Sequence, residues 1–114
     1  MRPSISVREG RLLTVRIDRD NDSLLVRASG EIDHANAGML EEELGRAFDS
    51  DASVIVLDLG DVDFIGVAGV HALLSGAARS RANGNRLSIW LGSGAVVRRT
   101  IELCSVDDAL PLTG

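Results

Sequence analysis

Cysteine is nearly missing from this chain: Cys104 stands alone in 114 residues, so no internal disulfide can form. No Cys or His lies at metal-ligand spacing around it, and a reducing cytoplasm is the compartment that fits. Long apolar runs are missing as well. The longest blocks, such as Val54 to Leu57, fall far short of the ~20 residues that span a bilayer. Met1 to Gly10 lacks the apolar stretch of a signal peptide, so the protein is expected to stay where it is made, without membrane insertion. There is no stripe of basic residues either. Twelve Lys and Arg against seventeen Asp and Glu leave a net charge of −5, whereas phosphate contacts need clustered cations, so nucleic acid is not an expected partner. Repeats, linkers and low-complexity segments are absent, and one domain over residues 1–114 is implied, with 1–10 as a flexible lead-in.

What is present is a succession of short apolar patterns. Leu12 to Asp18 alternates Leu13, Val15 and Ile17 with Thr14 and Arg16, the period of a half-buried strand. The polar run Asp18 to Asp22 reads as a turn, and Ser23 to Ile32 as a second strand closing a hairpin. Asp33 is placed to cap the helix that follows, in which Ala37, Leu40, Leu44 and Phe48 recur on one face. Glu41, Glu42 and Glu43 are assigned to its solvated face, with Glu42 four residues before Arg46. Val54 to Leu57 suits a central strand, Asp58 to Asp63 a polar turn, and Val67 the start of a helix with Val70, Leu73, Leu74 and Ala77 inward. Gly84 ends that helix. Leu87 to Leu91 is a further strand, and Gly92-Ser93-Gly94 leads to a last helix burying Val97, Ile101 and Cys104, with Ser93 as its cap. Strands joined through helices are expected to be parallel with right-handed crossovers. The fold class is therefore α/β, a mixed and mainly parallel sheet with an N-terminal antiparallel hairpin and packed helices.

The segment VIVLDLGDVDFIGVAGVHALL from Val54 to Leu74, with Gly30-Glu31-Ile32-Asp33 before it and Ala95 to Leu103 after it, resembles the STAS family over roughly ninety residues. Asp58-Leu59, Phe64-Ile65 and Gly69 match that family's strand, its Asp-Phe-Ile-like step and the last residue of its Asp-Ser-Ser-Gly turn. The resemblance implies a binding module of the anti-sigma factor antagonist kind, whose partner is a kinase-like anti-sigma factor or another regulatory protein. It puts the partner surface at Phe64, Gly66, Val67, Ala68, Gly69, Val70 and His71, with Asp33 beside it. Gly66, Val67 and Ala68 stand where Asp, Ser and Ser are common, and in regulated antagonists the second Ser takes phosphate. Ala68 has no hydroxyl and cannot be phosphorylated.

A phosphate brings about −1.5 to −2 charges, which suits a free helix N-terminus but opposes a protein interface, so Ala68 holds this helix start permanently uncharged. Two readings follow: a module always competent for its partner, or an apolar turn whose partner surface has been lost or moved. Val67 projects into an apolar contact patch or packs against the sheet. An accessory or sensor subunit of a larger assembly, as in phospholipid-transport or stress-signalling complexes, is the alternative function.

Other motifs point to less. Gly66-x-x-Gly69 lacks the Lys-Ser/Thr ending of a P-loop. Asp58, Asp61 and Asp63 have no completing Glu at calcium-loop spacing and no nucleophile beside them, so turn hydrogen bonding explains them better. His34 and His71 read as surface or turn residues, Cys104 as an inert buried thiol, and Ser75 and Ser80 as ordinary helix residues. No nucleophile, base and oxyanion-donor set can be assembled, so an enzyme is not expected, nor is a cofactor.

Overall fold

The structure is a computed structural model that describes residues 5–113, with the backbone alone at Ile5. Six strands, β1 (Ile5–Glu9), β2 (Leu13–Asp20), β3 (Ser23–Ile32), β4 (Val54–Ile65), β5 (Arg86–Trp90) and β6 (Leu112–Thr113), form one sheet in sequence order. The first three pair antiparallel and β3 to β6 pair parallel. Helices α1 (Ala37–Phe48), α2 (Val67–Asn83) and α3 (Ala95–Leu103) make the crossovers. Each parallel strand adds on the same side of the one before, and right-handed crossovers then place all three helices on one face of the sheet.

That face is the core. Val15, Val26, Ala28, Ile55, Leu57 and Ile89 point from the strands into Leu40, Leu44, Phe48, Leu73, Ala77, Val97 and Ile101 of the helices. Each fully buried Leu or Ile contributes about 1.5–3 kcal/mol relative to exposure. The small residue Gly76 lets α1 and α2 approach, since a Cβ there would lie 3.3 Å from Leu44 and 3.6 Å from Phe48. Gly84 closes α2 in the left-handed conformation (φ 77°), as the sequence suggests.

Several expectations are corrected. Ile5–Glu9, expected within a flexible lead-in, is an edge strand paired with β2, while Met1 to Ser4 lie outside the described residues. β2 runs through Asp20, leaving Asn21-Asp22 as the turn, with Asn21 at φ 55°. Asp58 to Asp63 is no turn but the second half of β4. Between Arg27 and Ser29 and again between Gly30 and Glu31 of β3, β4 inserts an extra residue. The Asp58 Oδ1 accepts the Gly60 N–H at 2.8 Å inside the first of these bulges, so the turn chemistry is real but local to a strand.

Glu43 is buried at 2% exposure, not solvated. Arg8 reaches from β1 to donate to Glu43 at 3.2 Å and to Glu42 at 2.6 Å, and Glu42 is thereby drawn to Arg8 instead of Arg46. The two carboxylates hold the Arg8 guanidinium pKa above its usual value. Ser93 does not cap α3, whose N-cap is Gly94, and Cys104 follows the helix as a half-buried residue packed on the core. Leu112–Thr113, which no apolar pattern marks as a strand, pairs with β5.

Candidate partner-binding site

Strands β3 and β4 stop side by side, Ile32 opposite Ile65, at the end of the sheet where α2 begins. Three devices fix that junction. The Gly66 N–H donates to the Ile32 carbonyl at 2.9 Å, extending the pairing one residue past the strand. Gly30 turns the end of β3 at φ 107°, a backbone that L side chains rarely adopt, and brings the Glu31 N–H onto the Leu12 carbonyl at 2.8 Å. Asn36, almost fully buried, donates from Nδ2 to the carbonyls of Arg11 at 2.7 Å and Glu31 at 2.8 Å. Nothing in the local pattern singles out this role of Asn36, because the two carbonyls that its Nδ2 reaches lie 25 and 5 residues away.

Asp33 works with Asn36. Its Oδ1 accepts the N–H groups of Ala35 at 2.9 Å and Asn36 at 3.2 Å, while its own N–H donates to Asn36 Oδ1 at 2.8 Å. The capping geometry expected of Asp33 is present, but it closes the turn before α1; the helix starts only at Ala37, with Asn36 at the N-cap position and no side-chain cap. Asp33 thus stabilises the loop that lies beside Gly66, one residue beyond the Gly66–Ile32 hydrogen bond.

From Gly66, extended at φ −91° and ψ −178°, the chain enters α2 with neither a side-chain cap nor an acidic residue in the first turn. Gly69 holds the helix start against the sheet. A Cβ on it would lie 2.6 Å from Ile65 and 2.7 Å from Ile32, so only glycine permits this approach. Val70 is also buried. Gly69 and Val70 therefore anchor the helix and present no contact side chain, a correction to the expected surface.

Five of the expected residues do meet solvent. Val67 is 71% exposed and Phe64 45%, His71 is exposed, and Gly66 and Ala68 are half-buried. The packing alternative for Val67 is thereby excluded. The Phe64 ring lies close to Gly66, 3.6 Å from where a Cβ on that glycine would be, and exposed Val67 follows next in the chain, so the three make up an apolar ledge by their placement. Exposed carboxylates of Glu31, opposite Phe64, and of Asp61 and Asp63 border it. Asp58 does not join them: it is buried and paired with Arg27 Nε at 3.2 Å. Among the described residues, no group of three or more His, Cys, Asp or Glu side chains is arranged to hold a metal ion.

The arrangement is an apolar projection at the C-terminal end of parallel strands. A family model for the STAS domain matches residues 14–113. The chain belongs to the STAS domain family. Its relatives include the anti-sigma-F factor antagonist RsfB of Mycobacterium tuberculosis, 32% identical over 101 residues that make up 88% of this chain and 80% of the relative. Among solved structures, an anti-sigma factor antagonist from Mycobacterium paratuberculosis is 28% identical, with a TM-score of 0.74 over 88% of this chain and 84% of that one. The antagonist SpoIIAA in its unphosphorylated form shares the fold at 14% identity, with a TM-score of 0.66 over 97% and 89% of the two chains. In this STAS domain, no helix among the described residues is long and apolar enough to cross a membrane.

Proposed function

We propose that this STAS domain is an anti-sigma factor antagonist that docks on a kinase-like anti-sigma factor through Phe64, Gly66, Val67, Ala68 and His71, with the Asp33 turn beside them. The observation that carries the reading is Val67, 71% exposed on a helix start that Gly69 and the Gly66–Ile32 hydrogen bond hold rigid. A single exposed valine is ordinary on a protein surface; this one counts because it follows exposed Phe64 and half-buried Gly66 at a helix start fixed by those contacts. The relatives named as antagonists support the class of partner.

The docking is not switched at this position. Ala68 offers no hydroxyl, and Gly66 offers no carboxylate beside it. A phosphate placed here would meet the unpaired N–H groups of α2 favourably while obstructing an apolar interface; its absence leaves the ledge competent at all times. Released sigma factor is the downstream result.

The test is calorimetric titration of a purified kinase-like anti-sigma factor from the same cell with wild type and with Ala68→Asp, after thermal unfolding shows both folded. Binding by wild type and its loss in the variant supports the reading. Retention of one unrelated partner by both proteins points instead to the accessory-subunit function.

A further inference from the structure

At the edge of the sheet farthest from the hairpin, the ladder stops short. β6 pairs only with Ile89 and Trp90, so Arg86 to Ser88, the first part of β5, have no strand beyond them. Along a parallel strand the N–H and C=O of one residue point to the same side, and successive residues alternate sides. The Arg86 N–H donates inward to the Ser53 carbonyl at 2.9 Å and the Ile89 N–H outward to the Pro111 carbonyl at 2.8 Å, so Leu87 faces outward. Pro111 has no N–H to offer the Leu87 carbonyl, and among the described residues no loop or turn carbonyl accepts the Leu87 N–H. Leu87 is only 8% exposed, and backbone groups so buried are nearly always paired.

Leu87 forms part of the wall of a cavity of about 370 Å³ between the end of α2 and the short 3-10 turn Asp107–Ala109. Other polar groups on that wall are unpaired as well. Arg81 and Arg86 make no ion pair or side-chain hydrogen bond among the described residues, and neither does Asp108, although all three border this one cavity. Asn85 donates from Nδ2 to the Ala52 carbonyl at 2.9 Å and leaves Oδ1 buried without a partner. Ala77, Leu110 and Pro111 complete the wall with apolar surface.

We infer that this cavity binds a free α-amino acid with an apolar side chain. A zwitterion meets both signs of charge at once, whereas a plain anion would be opposed by Asp108 and a plain amine by two arginines. The carboxylate accepts from Arg81, Arg86 and the Leu87 N–H, guanidinium being the cation whose fork matches a carboxylate. The ammonium brings three N–H donors, and Asp108, Asn85 Oδ1 and the Leu87 carbonyl are its three acceptors. The side chain of the ligand covers Ala77, Leu110 and Pro111. At ~1.5 Å per residue, Arg81 stands roughly 20 Å along α2 from Val67, so this cavity and the docking ledge are separate and neither requires the other.

The test is an amide chemical-shift titration of the whole chain with L-leucine up to about 10 mM. The expected result is saturable shifts at Asn85, Arg86, Leu87 and Asp108 with a Kd below about 1 mM, matched within about twofold by Ala68→Asp, whose added charge lies at the far end of α2. Isocaproate, which lacks the ammonium, and L-leucinamide, which lacks the carboxylate, each bind at least about tenfold more weakly. Arg81→Ala combined with Arg86→Ala, and separately Asp108→Asn, weaken L-leucine binding at least about tenfold, and these exposed side chains can be removed without loss of the fold. Absence of any saturable shift in wild type overturns the inference and leaves water as the partner of Leu87. So does binding of isocaproate or L-leucinamide as tight as that of L-leucine, because the charges then do not read a zwitterion. Equal binding of the tripeptide Gly-Gly-Leu overturns it too, since a peptide terminus has only an amide N–H beside its carboxylate. The wild-type titrations decide even if a variant fails to fold.

Discussion

Helices α2 and α3 begin alike and behave differently. Each follows a parallel strand, each has a glycine N-cap without a side-chain cap, and each exposes a valine in its first turn, Val67 at 71% and Val96 at 54%. Around α2, however, the backbone is pinned on every side: Gly66 to Ile32, Gly69 onto Ile65 and Ile32, and Asn36 across two carbonyls behind them. The start of α3 has no counterpart to the Gly69 contact or to the Gly66–Ile32 hydrogen bond. A Cβ on Gly94 would find nothing nearer than the Leu91 carbonyl at 3.9 Å, and the exposed Ser93 caps nothing. Exposed apolar surface is common on proteins; exposed apolar surface on an over-determined backbone is the reason the start of α2, and not that of α3, is proposed as the docking site.

Stability measurements break this contrast most forcefully. Gly69→Ala should cost about 1–3 kcal/mol in chemical denaturation, because its Cβ overlaps two buried isoleucines and forces the helix start off the sheet. Asn36→Ala should cost about 1–3 kcal/mol, from carbonyls and the Asp33 N–H left without their partner in a buried position. Binding sharpens it next. Val67→Ala should weaken the anti-sigma factor complex about five- to tenfold, roughly 1 kcal/mol, with kcal-scale stability unchanged, while Val96→Ala leaves titration curves superimposable. The smallest effect belongs to Gly94→Ala, expected within about 0.5 kcal/mol of wild type, since the weaker N-cap is offset by a stiffer unfolded chain. A large loss there would erase the distinction between the two helix starts.

The elements that bury one continuous face were legible from residue spacing. Ile55 and Leu57, Leu40, Leu44 and Phe48, and Leu73 and Ala77 announce their strand and helices because the core enforces local period. What escaped has long-range causes. Polar Asp58, Asp61 and Asp63 sit in a strand because bulges and an open sheet face accommodate them. Glu43 is buried because Arg8, 35 residues away, supplies its counter-charge. The edge strands β1 and β6 are short and partly exposed, so little burial marks them. At the proposed site, the residue pattern located the start of α2 at Val67, but spacing could not decide whether that side chain faced water. Val70 was read both ways: helical period put it inward, where it lies, while the family resemblance put it on the partner surface.

The most direct test of the account places one negative charge at each helix start. Purified kinase-like anti-sigma factor is titrated calorimetrically with wild type, Ala68→Asp and Ser93→Asp, all shown to unfold cooperatively. The account predicts that Ala68→Asp weakens binding by at least about a hundredfold, some 2.7 kcal/mol, while Ser93→Asp stays within about twofold of wild type. Equal binding by Ala68→Asp and wild type would contradict it, since a docking surface built on the start of α2 does not tolerate a buried, unpaired carboxylate at its centre.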